Sequence, residues 1–459
     1  MIPPGVYSYG MNSLAELLAL AGVEPMPVSI EGADPVFPTP YRVGEAGAAA
    51  IAAVGVAASR LWQLRTGRTQ RVKIGVRAAA AAMRSVRYLR INGEVPKDTW
   101  DPFSGYYPVK DGRWVSIHCN FANHREAARK VLGGAADRAA AEREAAKWDG
   151  LELEDAIHAA KGCAGLARTA EEWARHAHAA AVAAQPLLQI RKIADSKPEP
   201  LPAGPRPLSG VRALDLTRVL AGPTCARTLA EHGADVLKIA GPHLPDSGSS
   251  EFDTGIGKLQ AFLDLREADG VEKLRGLLQG ADVFSQSFRP GTLAARGFSP
   301  EEAAALRPGI VYVTLSAWGT TGPWKDRRGF DSIVQTVSGM ALRQSGEVKP
   351  KLLPVSAIDY VSGYLMAFGA MVALTRRATE GGSWLVRVSL VRTGKWIVDR
   401  GAVQDLSSAK SDLEKDELDR LLMNSGKFRH LKPVLELSET QPHWVRPPVP
   451  LGSHPAAWP

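Results

Sequence analysis

The chain has 459 residues, 45% hydrophobic and 23% charged, with a formal net charge of +8 and a pI near 9.3. That length goes beyond one ordinary hydrophobic core, so two or more packed units are expected, and the composition suits a soluble globular protein. The positive balance favours anionic partners, but no basic stripe interleaved with aromatics is present, which sets nucleic acid aside in favour of a phosphate-bearing cofactor.

The opening "MIPPGVYSYGMNSLAEL" has no basic stretch before an apolar run, so no signal peptide is expected, and residues 1–39 read as an N-terminal extension. The Ala-rich run 45–59 follows, with only 14 residues between Glu45 and Arg60. This is short of the roughly 20 that span hydrocarbon, and it predicts a buried helix rather than a membrane span. Cysteine occurs only at 119, 163 and 225, without C-x-x-C spacing or a clustered ligand pattern. This points to a reducing, cytoplasmic setting, three buried thiols and no metal site.

Residues 40–76 and 354–390 match at a constant offset of 314. Pro40 meets Pro354, Glu45 meets Asp359, Gly55 meets Gly369, Gly67 meets Gly381 and Val72 meets Val386. In each copy an acidic residue precedes an Ala/Gly-rich helix, a turn and an alternating β run, which reads as a degenerate internal repeat. "DGRWVSIHC" (111–119) predicts a strand, and Ala-, Glu- and Arg-rich helical sequence continues to about 183. Residues 40–195 are therefore one partial repeat unit, and 196–210 a stiff Pro-rich linker.

From 211 the pattern becomes α/β. Strands are expected at 211–217, 234–240, 281–288 and 310–319, with helical stretches between them, as in a parallel doubly wound sheet. This domain, 211–394, carries the second repeat helix, and 395–459 is a C-terminal segment with a charged helix near 407–422 and a proline-rich surface tail. The loops "LAGPT" (220–224) and "SFRPG" (287–291) are natural ligand positions, and Gly222, at a helix start, could offer unpaired amides to an anion. There is no G-x-G-x-x-G after the first strand and no phosphate-binding G-x-x-x-x-G-K-[ST], so nicotinamide-nucleotide and nucleotide-hydrolysis readings lose their main support.

The stretches "GVRALDLTRVLAGPTCARTLAEHGADVLKI" (210–239), "ADVFSQSFRPGTLAARGFSPE" (281–301), "IVYVTLSAWGTTGPWKDRRGFDSIVQTVSG" (310–339) and "AIDYVSGYLMAFGAMVAL" (357–374) resemble family III CoA-transferases, the CaiB/BaiF group. That group includes formyl-CoA transferase and alpha-methylacyl-CoA racemase. "RTGRTQRV" (65–72), "DGRW" (111–114) and "RTAEEW" (168–173) are similar to the family's small-domain region, which here precedes the Rossmann-like half. The resemblance implies a Rossmann-like parallel doubly wound sheet with a smaller α/β domain, in a permuted or fused arrangement.

It also implies that Asp359 attacks an acyl-CoA carbonyl to form an acyl-aspartyl anhydride, exchanging CoA with a small carboxylic acid through an aspartyl-CoA thioester. Read locally, Asp359 could equally cap its helix, and Glu45 is the matching acid of the first copy. Coenzyme A or acyl-CoA is the expected substrate, with Gly222, Lys238, Lys258, Phe288, Arg289 and Phe330 as its contacts, and a homodimer is a possible assembly. The position of Phe330 is a histidine in the racemase branch. Phenylalanine has no titratable proton, so CoA transfer is favoured over alpha-proton exchange. Asp331 is expected to orient a loop or cap the next helix. Ala240, Ser287 and Ala295 depart from the family pattern, and Leu220 stands where formyl-CoA transferase has a glutamine, which argues against formate or oxalate specificity; losing these polar groups implies a larger hydrophobic acyl substrate or a weakened site. An acyl-CoA isomerase and a degenerate CoA-binding scaffold are the alternatives.

Overall fold

The structure is a computed structural model, described over residues 9–97, 100–244 and 248–459. Its central element is a seven-stranded sheet in the spatial order Lys258–Phe262, Asp235–Ala240, Arg212–Asp215, Val283–Gln286, Val311–Ser316, Ser383–Ser389, Gln189–Ala194. The first six strands are mutually parallel and the last pairs antiparallel. Strand alternation sorts the core: Ala213, Val236, Val283 and Val311 face one layer, while their neighbours Leu214, Leu237, Phe284 and Tyr312 face the other. The chain leaves Arg212–Asp215 to one side and returns on the other at Val283–Gln286. A crevice therefore opens beyond the carboxyl ends of these two strands.

The two stretches matched at the offset of 314 form helices Val43–Thr66 and Ala357–Glu380, each 24 residues long. Each has the length and apolar composition to cross a membrane, yet 83% and 100% of their most apolar windows are buried inside the fold. The two helices belong to one core, and in each a glycine makes the approach of the following strand possible. A Cβ on Gly55 would stand 2.6 Å from Val72 Cγ1, and one on Gly369 would stand 2.6 Å from Val386 Cγ1.

A smaller unit carries an antiparallel sheet of Gly105–Pro108, Trp114–Ile117 and Ala164–Leu166, with helices Ala122–Val131, Arg138–Ala145 and Gly150–Ala159 around its own core. It is bound to the large sheet side by buried Glu154, which pairs with Arg168 at 2.8 Å and Arg327 at 3.0 Å. The boundary expected at 195 does not separate two bodies. Strand Gln189–Ala194 pairs with Ser383–Ser389, and helix Val43–Thr66 shares the core of the large sheet. The charged helix expected over 407–422 forms only at Lys415–Leu421. The terminal tail runs along the sheet edge, where the His454 amide donates to the Gln260 carbonyl at 2.9 Å and the Gln260 amide donates to His454 Nδ1 at 3.0 Å.

Candidate active site

Asp359 stands in the first turn of helix Ala357–Glu380 and is 8% exposed. It does not cap this helix. Its own amide is capped instead by Asp331, whose Oδ2 accepts from Asp359 N–H at 3.0 Å while Oδ1 accepts from the Gln335 side chain. Burial pushes Asp331 up to about 6, against the pull of its amide and side-chain donors. Burial, then repulsion from Asp331, holds Asp359 well above the ordinary carboxylate range. The two acids are thus close together, and each holds its proton more tightly than an ordinary carboxyl does.

Two chambers meet at Asp359. One, of about 420 Å³, occupies the crevice at the sheet ends and is edged by Arg218, Arg289, Lys325, Arg327 and Arg328. The other, of about 630 Å³, lies towards residues 86–96, Trp100 and residues 352–356, and apolar and polar side chains share its walls. Phe121, Val219, Leu220, Phe330 and Asp359 line both. Val219 holds φ 73, a left-handed conformation that β-branched residues seldom adopt, so backbone strain is concentrated at this junction. Phe330 lies flat on His118, with centroids 3.8 Å apart and planes 10° apart. Burial pulls His118 down to about 3, leaving its imidazole neutral at ordinary pH.

Of the residues expected to touch coenzyme, Phe288, Arg289 and Phe330 line the basic chamber with Asp359. Lys238 and Lys258 do not. Both are buried: Lys258 Nζ donates to Asp215 and to the Pro223 carbonyl, each at 2.9 Å, and Lys238 pairs with Glu251 at 3.0 Å and donates to the Thr217 carbonyl at 3.1 Å. Their ammonium groups are consumed in holding the turn that carries Val219 and Leu220. Gly222 lines neither chamber; it is buried in the first turn of helix Ala221–Glu231, packed on Thr217. Glu45 is buried in the first turn of its helix and paired with Arg42 at 3.1 Å. Among the described residues no group of three or more His, Cys, Asp or Glu could hold a metal ion. The residues that local reading missed are Val219, Trp100, Arg328 and Leu353, whose roles arise only from tertiary convergence.

The model of CoA-transferase family III matches residues 13–199 and 208–444. The chain is 36% identical over 208 residues to acetyl-coenzyme A transferase nodX of Hypoxylon pulicicidum, covering 43% of this chain and 35% of that one. It is 33% identical over 199 residues to succinyl-CoA–D-citramalate CoA-transferase of Chloroflexus aurantiacus, covering 40% and 50%. The crystal structure of Rv3272 from Mycobacterium tuberculosis aligns at 28% identity over 42% of this chain and 57% of that one, with a TM-score of 0.40. The chain thus spans a third to somewhat over half the length of these relatives. Matched over most of its length by the family model, the chain belongs to CoA-transferase family III.

Proposed function

We propose that the protein transfers CoA from an acyl-CoA to a carboxylic acid, with Asp359 as the nucleophile. The observation that carries this reading is that Asp359 is, among the described residues, the one carboxylate lining both chambers. A thioester bridging them would present its carbonyl there, with the nucleotide end among Arg289, Arg328 and Lys325. The ionised carboxylate attacks the carbonyl and CoA leaves as thiolate, giving an acyl-aspartyl anhydride. The thiolate attacks the aspartyl carbonyl, releasing the first acid, and the acceptor acid reverses both steps. Phe330 and the neutral His118 beside it offer no strong base opposite Asp359, which favours transfer over alpha-proton exchange. The acid-to-acid exchange in the name of the Chloroflexus relative supports the same chemistry.

The fold reads best as a fused, permuted arrangement around a Rossmann-like sheet, with one live and one closed copy of the acid pair. Asp34 accepts from the amides of Gly44 at 3.2 Å and Glu45 at 2.8 Å, as Asp331 does from Asp359. Arg42, where the live copy has Ser356, fills the first copy by pairing with Glu45. The test is Asp359→Asn: CoA binding is retained and transfer to a carboxylic acid is lost. A variant that still transfers at the wild-type rate contradicts the reading.

A further inference from the structure

We propose that the chamber on the far side of Asp359 from the basic crevice takes a long, mainly hydrocarbon acyl group. The inference rests on the reading of Asp359 as the thioester-attacking group and names the substrate class that reading leaves open.

Five basic side chains edge the first chamber, and its walls include loops at the sheet ends, so the phosphates of CoA belong there. Arg289 and Arg328 have no ion pair or side-chain hydrogen bond among the described residues. With the carbonyl at Asp359 and the sulfur leading back into the crevice, the acyl tail has the second chamber as its exit. There, among the described residues, Arg87 is the only arginine or lysine, exposed at the rim, and the walls join Val86, Val95, Pro96, Trp100, Leu353 and Val355 to uncharged polar groups at Asn120, Ser250, Ser332 and Gln335.

Two further features mark an apolar occupant. Val95 is 68% exposed and Trp100 44% exposed, among the few large apolar side chains left open to solvent in the described residues, and both stand on this chamber. Trp100 meets His118 edge-on with centroids 5.8 Å apart, so the apolar wall continues to the Phe330 stack at the reacting centre. The volume of about 630 Å³ falls within the range that buries drug-sized ligands. Formate, acetate or a short diacid would leave the apolar part of these walls wet, and among the described residues Arg87 is the one lysine or arginine that could meet a second carboxylate.

The experiment measures binding of S-alkyl-CoA thioethers from ethyl to decyl by calorimetry, on the wild type and on Asp359→Asn. These ligands do not react, so the result stands whether or not Asp359 is a nucleophile; formation of a hydroxylamine-labile adduct from the matching acyl-CoA panel tests that step separately. We expect Kd to tighten roughly fourfold per added methylene, from about 0.8 kcal/mol each, until the chamber is filled. Trp100→Ala and the surface change Val95→Asp should both flatten this slope. A Kd independent of chain length, or a preference for a carboxyalkyl thioether that Arg87→Ala abolishes, overturns the proposal.

Discussion

Gly363 lies one turn beyond Asp359 on the same helix, facing the first turn of helix Ala221–Glu231. A Cβ placed there would stand 2.7 Å from Thr224 Cβ and closer still to the carbonyl oxygen of Ala221. Restoring an ordinary separation of roughly 3.5 Å requires the two helices to part by about 1 Å. Overpacking of this kind costs about 1–3 kcal/mol, offset by up to ~1 kcal/mol from the better helix propensity of alanine, so Gly363→Ala should destabilise by about 1–2 kcal/mol. The larger effect should fall on chemistry. The displaced helix carries Asp359 away from Val219 and Leu220, and a 1 Å misplacement costs on the order of 10²-fold in rate. The assay is thermal unfolding together with the rate of acyl-enzyme formation by intact-mass spectrometry. Gly276→Ala is the control: it lies in helix Ala268–Gln279 with nothing within 4 Å of the added Cβ. It should gain about 0.5–1 kcal/mol and leave the rate unchanged. If Gly363→Ala lowers the melting temperature yet acylates within threefold of wild type, the position of Asp359 does not depend on this contact and the reasoning fails.

Asp331→Asn keeps an oxygen for the Asp359 amide and removes the neighbouring charge, so the acylation rate, which rises with pH as Asp359 ionises, should reach its plateau at lower pH; an unmoved profile contradicts the pair. In the wild type the folded state holds the Asp331 proton more tightly than the unfolded chain does, so this group makes stability fall as pH rises from about 4 to about 6, and Asp331→Asn should lessen that fall in chemical denaturation. Lys258→Met strands buried Asp215 without its cation and should cost about 3–5 kcal/mol in urea unfolding; a loss of CoA affinity at unchanged stability would instead return Lys258 to the ligand site. Arg289→Ala removes a cation from the basic chamber and should weaken CoA binding about tenfold or more by calorimetry, whereas a Kd within twofold of wild type would empty that chamber of its assigned role.

The parallel sheet was legible because apolar residues fill both parities of its strands: Val236 and Leu237, or Val283 and Phe284, are adjacent in sequence and serve opposite layers. The likeness of the two long helices was legible for a related reason. Gly55 and Gly369 keep the same spacing to the valine each must admit, and this requirement survives when other residues drift. Asp359 could be read from its motif, but its capping by Asp331 could not, because 28 residues separate the partners. Lys238 and Lys258 misled for a physical reason. A lysine at the end or start of an apolar run looks solvated until Glu251 and Asp215 are brought beside it from distant segments. Strand Gln189–Ala194 carries exposed Arg191 and Lys192 and precedes a Pro-rich stretch, so nothing local announces that it closes the large sheet. The second chamber was invisible for the same reason: residues near 95, 118, 220 and 353 share no local pattern and converge only in the fold.

The central claim is that Asp359 carries the acyl group, and the most direct test is peptide mapping of the enzyme after incubation with an acyl-CoA panel and trapping with hydroxylamine. A hydroxamate is expected on Asp359 in the wild type, none in Asp359→Asn, and none on Glu45 in either. A hydroxamate on Glu45, or trapping that survives the loss of Asp359, would contradict that claim.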